Sequence, residues 1–91
     1  MLNLVTLAPT PPQIDLELTV DQARLWVCDY LSQGVPPQTF YRWRSRLGWV
    51  GDGFASYPPK AVEALAVFGR WARVTRSLDV AKEKAITYYR S

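Results

Sequence analysis

Hydrophobic positions after residue 18 recur mostly at three- and four-residue spacing, interrupted once by a short stretch with no helical period. The first run, Val20, Ala23, Val27, Tyr30 and Leu31, is a stripe of the kind that buries one face of a helix. Thr19 followed three residues later by Gln22 has the form of a capping box. The hydroxyl accepts from a free backbone N–H while the Gln side chain reaches back, so a helix is expected to begin there. Its end is expected at Gln33-Gly34, where glycine can supply a left-handed turn. Trp26 lies at the edge of the stripe.

A second helix is predicted from Pro37, because proline's missing N–H is no loss in a first turn, up to Leu47 ahead of a Gly48 stop. Phe40, Trp43 and Leu47 share one of its faces, and Gln38, Tyr41, Arg42, Ser45 and Arg46 fall largely on the other. Two helices joined by a short glycine-containing turn form a helix-turn-helix. In W-V-G-D-G-F-A-S-Y, residues 49 to 57, apolar residues flank Gly51-Asp52-Gly53, a composition that favours a tight hairpin. A small two-stranded wing is therefore expected, closed by Pro58-Pro59. Helical spacing resumes over Lys60 to Thr75 with Val62, Leu65, Ala66, Phe68, Gly69 and Ala72 facing inward. Ser77 predicts the cap of a last helix reaching about Tyr89, with Leu78, Ala81, Ala85, Ile86 and Tyr89 available for packing.

Ahead of these elements, Pro9, Pro11 and Pro12 separate an apolar opening from the alternating Ile14 to Leu18, which fits a short strand or an extended arm. The expected organisation is an N-terminal arm over 1–18 and one mainly α domain over 19–91. That domain is a small winged helix-turn-helix of about four helices with a short β-hairpin wing.

Composition changes this picture mainly by exclusion. With 91 residues, 48% of them hydrophobic, the chain can bury one modest core. Cys28 is the single cysteine and there is no histidine, which removes an intrachain disulfide, a thiolate–imidazole pair and any zinc spacing. Nothing around the carboxylates Asp15/Glu17 and Asp79/Glu83 suggests a catalytic pocket, and Gly51-x-Gly53 is too short for a phosphate loop. No enzyme activity and no cofactor are expected. No basic leader precedes the apolar N-terminus, and no run approaches the roughly 18 apolar residues of a membrane span. A soluble, reducing, cytoplasmic setting follows as the expectation.

Charge adds more. The formal net charge is +3, unevenly distributed: four of the eight acids, Asp15, Glu17, Asp21 and Asp29, precede residue 30. Between residues 38 and 76, seven bases stand against two acids, Asp52 and Glu63. Such an excess suits a polyanion, though ordinary soluble surfaces carry similar clusters. Its centre is T-F-Y-R-W-R-S-R-L-G-W, residues 39 to 49, where guanidinium groups alternate with aromatic rings. Arg42 and Arg46, four apart, stack on one helix face flanked by Gln38 and Tyr41. An arginine fork matches phosphate and the O6/N7 edge of guanine. Gln38 suits adenine, and Tyr41 suits a sugar, a phosphate or a thymine methyl. The same pattern also describes the wet side of an amphipathic helix. Arg70, Arg73 and Arg76 form a second ridge beside Trp71, either reaching flanking phosphates or solvating a helix. Lys82, Glu83 and Lys84 read as solvent-facing charges.

G-V-P-P-Q-T-F-Y-R-W, residues 34 to 43, resembles the turn and recognition helix of MerR-type regulators and of phage excisionase-like proteins. L-G-W-V and Y-P-P-K-A-V-E-A-L resemble the wing and following helix of the same group, so the similarity spans roughly residues 19 to 89. It implies a winged helix-turn-helix with Thr39, Tyr41 and Arg42 at DNA and a wing touching an adjoining backbone. The Gly51-Asp52-Gly53 tip departs from the arginine-rich loop common in that family. The long coiled-coil helix and effector domain of full-length MerR regulators are also missing, so no small-molecule effector is expected.

The expected function is sequence-specific binding of double-stranded DNA, as a small transcriptional regulator or a recombination accessory factor. Gln38, Thr39, Tyr41, Arg42, Arg44, Ser45, Arg46, Arg70 and Arg73 are the candidate contacts. A single module has a small footprint, which favours a homodimer or cooperative neighbours on DNA, with Leu2, Leu4, Val5 and Leu7 as a candidate interface. The rival expectation is a protein-interaction adaptor of the same fold, presenting Trp26, Trp49, Trp71 and the arm to a partner protein.

Overall fold

A computed structural model describes residues 17–51 and 56–91. The elements in chain order are β1 (Leu18–Thr19), α1 (Val20–Leu31), α2 (Pro37–Arg46), β2 (Ser56–Tyr57), α3 (Pro59–Thr75) and α4 (Leu78–Arg90). Among the described residues the protein is therefore mainly helical, with four helices and a small two-stranded antiparallel sheet. Of the expected arm over residues 1–18 only Glu17 and Leu18 fall within the described residues, and of the expected wing tip Gly51-Asp52-Gly53 only Gly51 does.

Local signals explain the helix boundaries. The capping box forms as predicted: Gln22 N donates to Thr19 Oγ1 at 3.2 Å, and Thr19 N donates to Gln22 Oε1 at 3.0 Å. Thr19→Ala removes one half of this exchange and is expected to lower stability by about 1 kcal/mol. Urea unfolding checks it, and an unchanged midpoint would show that the box is not formed in solution. Ser77 caps α4 in the same way, its Oγ accepting from Val80 N at 3.2 Å.

Helix α1 ends differently from the expectation. The left-handed residue is Ser32, with φ 54°, and not Gly34. Ser32 N donates to Asp29 O and Gln33 N to Cys28 O, each at 3.2 Å, which closes the last turn two residues before the glycine is reached. Helix α2 ends as predicted at Gly48, whose φ of +76° allows Gly48 N to reach Ser45 O and Trp49 N to reach Arg44 O at 2.8 Å.

The sheet also differs from a local hairpin. Ser56–Tyr57 pairs with Leu18–Thr19, in the register Leu18 opposite Tyr57 and Thr19 opposite Ser56. Residues 49 and 50 are not in a strand. The Trp49 N–H is committed to Arg44 O at 2.8 Å and has no proton left to donate to a ladder, while its carbonyl accepts from the Tyr57 hydroxyl at 2.7 Å. The small sheet thus ties the entry to α1 to the entry to α3.

Helix α3 is the axis of the core. Nine consecutive residues, Ala61 to Gly69, are buried, so over more than two turns this helix has no wet side. It packs most extensively on α4 and next on α1, and α2 lies against it as well. Buried Glu63 is the polar exception. Its Oε1 accepts from the Tyr88 hydroxyl at 2.7 Å, and burial together with that bond pushes the Tyr88 pKa up to about 12. Gly69 lets three helices meet: a Cβ there would stand 2.7 Å from Leu31 Cδ1 and 2.8 Å from Trp43 Cζ3.

Candidate nucleic-acid interface

Helix α2 is anchored by one face and open on the other. Phe40, Trp43 and Leu47 are buried, the Trp43 ring tilted against Phe68 with centroids 5.6 Å apart. Pro37, Gln38, Tyr41, Arg42, Ser45 and Arg46 line a groove of about 690 Å³ along the opposite side. These six follow the i, i+1, i+4, i+5, i+8, i+9 rhythm of a single helix face, so the groove's described lining comes from α2 alone. The sequence gives Pro37 only a helix-starting role, and in the structure it joins this lining because N1 and N2 border the same face. Among the described residues no side chain caps the N-terminus of α2, which keeps the partial positive charge of its first turn unneutralised.

The turn before α2 is clamped by two α1 side chains that sequence reasoning passed over. Arg24 Nη1 donates to Val35 O at 3.1 Å, and Val35 N donates to Cys28 Sγ at 3.2 Å. Arg24 and Cys28 are four apart and so share a helix face; that spacing was the available signal. Together they fix the backbone of buried Val35, and with it the direction in which α2 departs.

The predicted contact residues separate into groups. Gln38, Tyr41, Arg42, Ser45 and Arg46 are exposed, and Thr39 is half-buried beside them. Arg46 Nη1 meets Asp79 Oδ1 at 3.2 Å, where the two side chains are 43% and 92% exposed. An ion pair that wet contributes at most about 1 kcal/mol, so a competing anion can displace Asp79. Arg42 has no ion pair or hydrogen bond with any described residue.

Arg44 departs from the predicted group. It turns inward, its Nη1 donating to the Tyr57 hydroxyl at 3.2 Å and its guanidinium lying against the Phe40, Tyr41 and Tyr57 rings. Three residues from Tyr41 and four from Phe40, it is on the flank of the helix that faces Tyr57. The α3 ridge does not line the α2 groove either. Arg73 Nη1 donates to Leu31 O at 2.9 Å, supplying a cation to the last turn of α1. Arg70 is half-buried, and its charge bears on the Tyr30 hydroxyl, whose pKa is nonetheless raised because burial outweighs that attraction.

The tryptophans form no common exposed patch. Trp49 is buried against Tyr89 at a centroid distance of 4.9 Å. Trp26 stacks on Tyr30 at 5.9 Å, Trp71 lies beneath Lys84 Nζ at 4.9 Å, and both pack against the core. Among the described residues no helix is long and apolar enough to cross a membrane. No family model matches this chain, and no curated protein and no solved structure matches it either.

Proposed function

We propose that this protein binds double-stranded DNA by laying α2 in a major groove, as a small transcriptional regulator or a recombination accessory factor in a reducing cytoplasm. The observation that carries this reading is the α2 groove face. Hydrogen-bonding side chains and two arginines share it, while Phe40, Trp43 and Leu47 hold the opposite face in the core. A major groove about 12 Å wide admits a helix with its side chains, whereas the deep, narrow groove of duplex RNA does not. Duplex DNA is therefore the favoured polyanion.

Within that reading Arg42 and Arg46 supply phosphate contacts, and Gln38, Thr39, Tyr41 and Ser45 meet sugars and base edges. The resemblance of residues 34 to 43 to MerR-type and excisionase-like recognition helices supports the same assignment. One helix reads few base pairs, so useful discrimination calls for a homodimer or for cooperative neighbours on DNA.

A gel shift with a random duplex at low and moderate salt tests the proposal. The wild-type protein should retard the duplex at low salt and lose affinity steeply as salt rises. The double variant Arg42→Glu/Arg46→Glu should abolish the shift with an unchanged circular dichroism spectrum. Each phosphate contact removed lowers the slope of log K against log salt by about 0.9. A wild-type protein that leaves the duplex unshifted at low salt would overturn the reading.

A further inference from the structure

Arg44 is built into its surroundings in a way that Arg42 and Arg46 are not. Its guanidinium carbon lies 5.3 Å from the centroid of the Tyr41 ring, 5.6 Å from that of Phe40 and 6.0 Å from that of Tyr57. Its Nη1 donates to the Tyr57 hydroxyl, which in turn donates to Trp49 O at 2.7 Å. Its Nε is buried and has no hydrogen-bond partner among the described residues. Desolvating an N–H without a partner is costly, and here the rest of the fork and the three rings must offset it.

The three rings differ in one respect. Phe40 and Tyr57 are 1% and 0% exposed, so both are part of the buried core. Tyr41 is 52% exposed and lines the groove. An exposed tyrosine held only by its backbone would exchange between rotamers. The cation packed over its face, itself fixed by Tyr57, connects that ring to the core. We infer that Arg44 is a positioning residue, which holds the Tyr41 ring in one orientation on the contact face and acts on DNA through Tyr41, without a phosphate contact of its own.

The ligand in this inference rests on the proposed function, whereas the ring's orientation is a property of the free protein. Lysine is a point charge without the planar fork, so Arg44→Lys keeps the charge and loses the arrangement. Three-bond couplings of Tyr41, measured by NMR without DNA, should report a single χ1 rotamer in the wild type and an average over rotamers in Arg44→Lys. Averaging already present in the wild type, or couplings untouched by the substitution, overturns the inference whether or not DNA is bound.

The binding arm uses a labelled random duplex. Arg44→Lys should weaken binding roughly two- to fivefold, the equivalent of one cation–π contact, and should have no further effect in a Tyr41→Ala background. Arg44→Gln should leave the salt slope at the wild-type value, while Arg42→Ala lowers it by about 0.9. A slope lowered equally by Arg44→Gln, or full affinity retained by Arg44→Lys, would make Arg44 a direct phosphate contact and sink the positioning role. If the wild type binds no duplex, the DNA reading fails and the couplings alone decide Arg44.

Discussion

Trp43→Ala is expected to destabilise the protein by about 3–5 kcal/mol, the range for deleting a large buried aromatic side chain. The indole is 9% exposed, tilts against Phe68 and rests its outer ring on the bare backbone of Gly69. Truncation would leave a void that neither neighbour can fill: Phe68 is already packed on its other sides, and Gly69 has no side chain to extend. The size of this loss matters because a chain of 91 residues has a total stability of about 5–14 kcal/mol. Helix α2 is anchored through Phe40, Trp43 and Leu47, so losing the largest of the three frees the helix that carries the groove. Urea unfolding should show a lower midpoint. A loss below about 1 kcal/mol would mean that α2 is not docked on α3 through this ring.

The second large effect is expected at the same contact from its other side. Gly69 sits within α3, where glycine is about 1 kcal/mol worse than alanine on helix propensity alone. A Cβ there would nevertheless stand 2.7 Å from Leu31 Cδ1, 2.8 Å from Trp43 Cζ3 and 2.9 Å from Trp43 Cη2. The Leu31 methyl ends a flexible side chain and can move. The two Trp43 atoms belong to a rigid ring wedged against Phe68 and cannot. Overpacking of this kind costs about 1–3 kcal/mol, which equals or exceeds the propensity gain for alanine. Valine adds two further methyl groups while recovering less propensity, so Gly69→Val is expected to cost more than about 2 kcal/mol. The diagnostic measurement is a double-mutant cycle with Trp43→Phe, which removes the offending part of the indole. Gly69→Ala should be less destabilising in that background than alone. Strict additivity, or a stabilising Gly69→Ala in the wild-type background, would show that the three helices do not meet at this glycine.

Both effects belong to a contact invisible to periodicity. The pattern of residues 60 to 75 marks Phe68 and Gly69 as inward, and that of 37 to 47 marks Trp43 as inward. Neither pattern states that these positions face each other. Nor does it state that Ala61, Ala64 and Val67 are also buried, because a helix enclosed on every side requires partners that only the complete fold supplies. The candidate site divides along the same line. Gln38, Tyr41, Arg42, Ser45 and Arg46 could be assigned to one open face from their spacing, since an amphipathic helix has one side for the core and one for water. Arg44 lies on the flank between the two, and its direction depends on Tyr57, thirteen residues further along the chain.

What the sequence determined by itself was therefore held within about one helical turn, although the equally local closure of α1 falls at Ser32 and not at Gly34. The Thr19/Gln22 capping box, the proline start of α2, the Gly48 stop, the Ser77 cap and the two faces of α2 each rest on groups no more than a few residues apart. Their signals are local, and packing on the core then supplies most of the stability of the helices they mark. The tertiary structure decided the rest: the pairing of Ser56–Tyr57 with Leu18–Thr19, the direction of Arg73 and the confinement of Arg44. In each of those cases several local arrangements satisfy the backbone and the solvent about equally. The choice among them is made by a partner distant in sequence, whose position exists only once the core has formed.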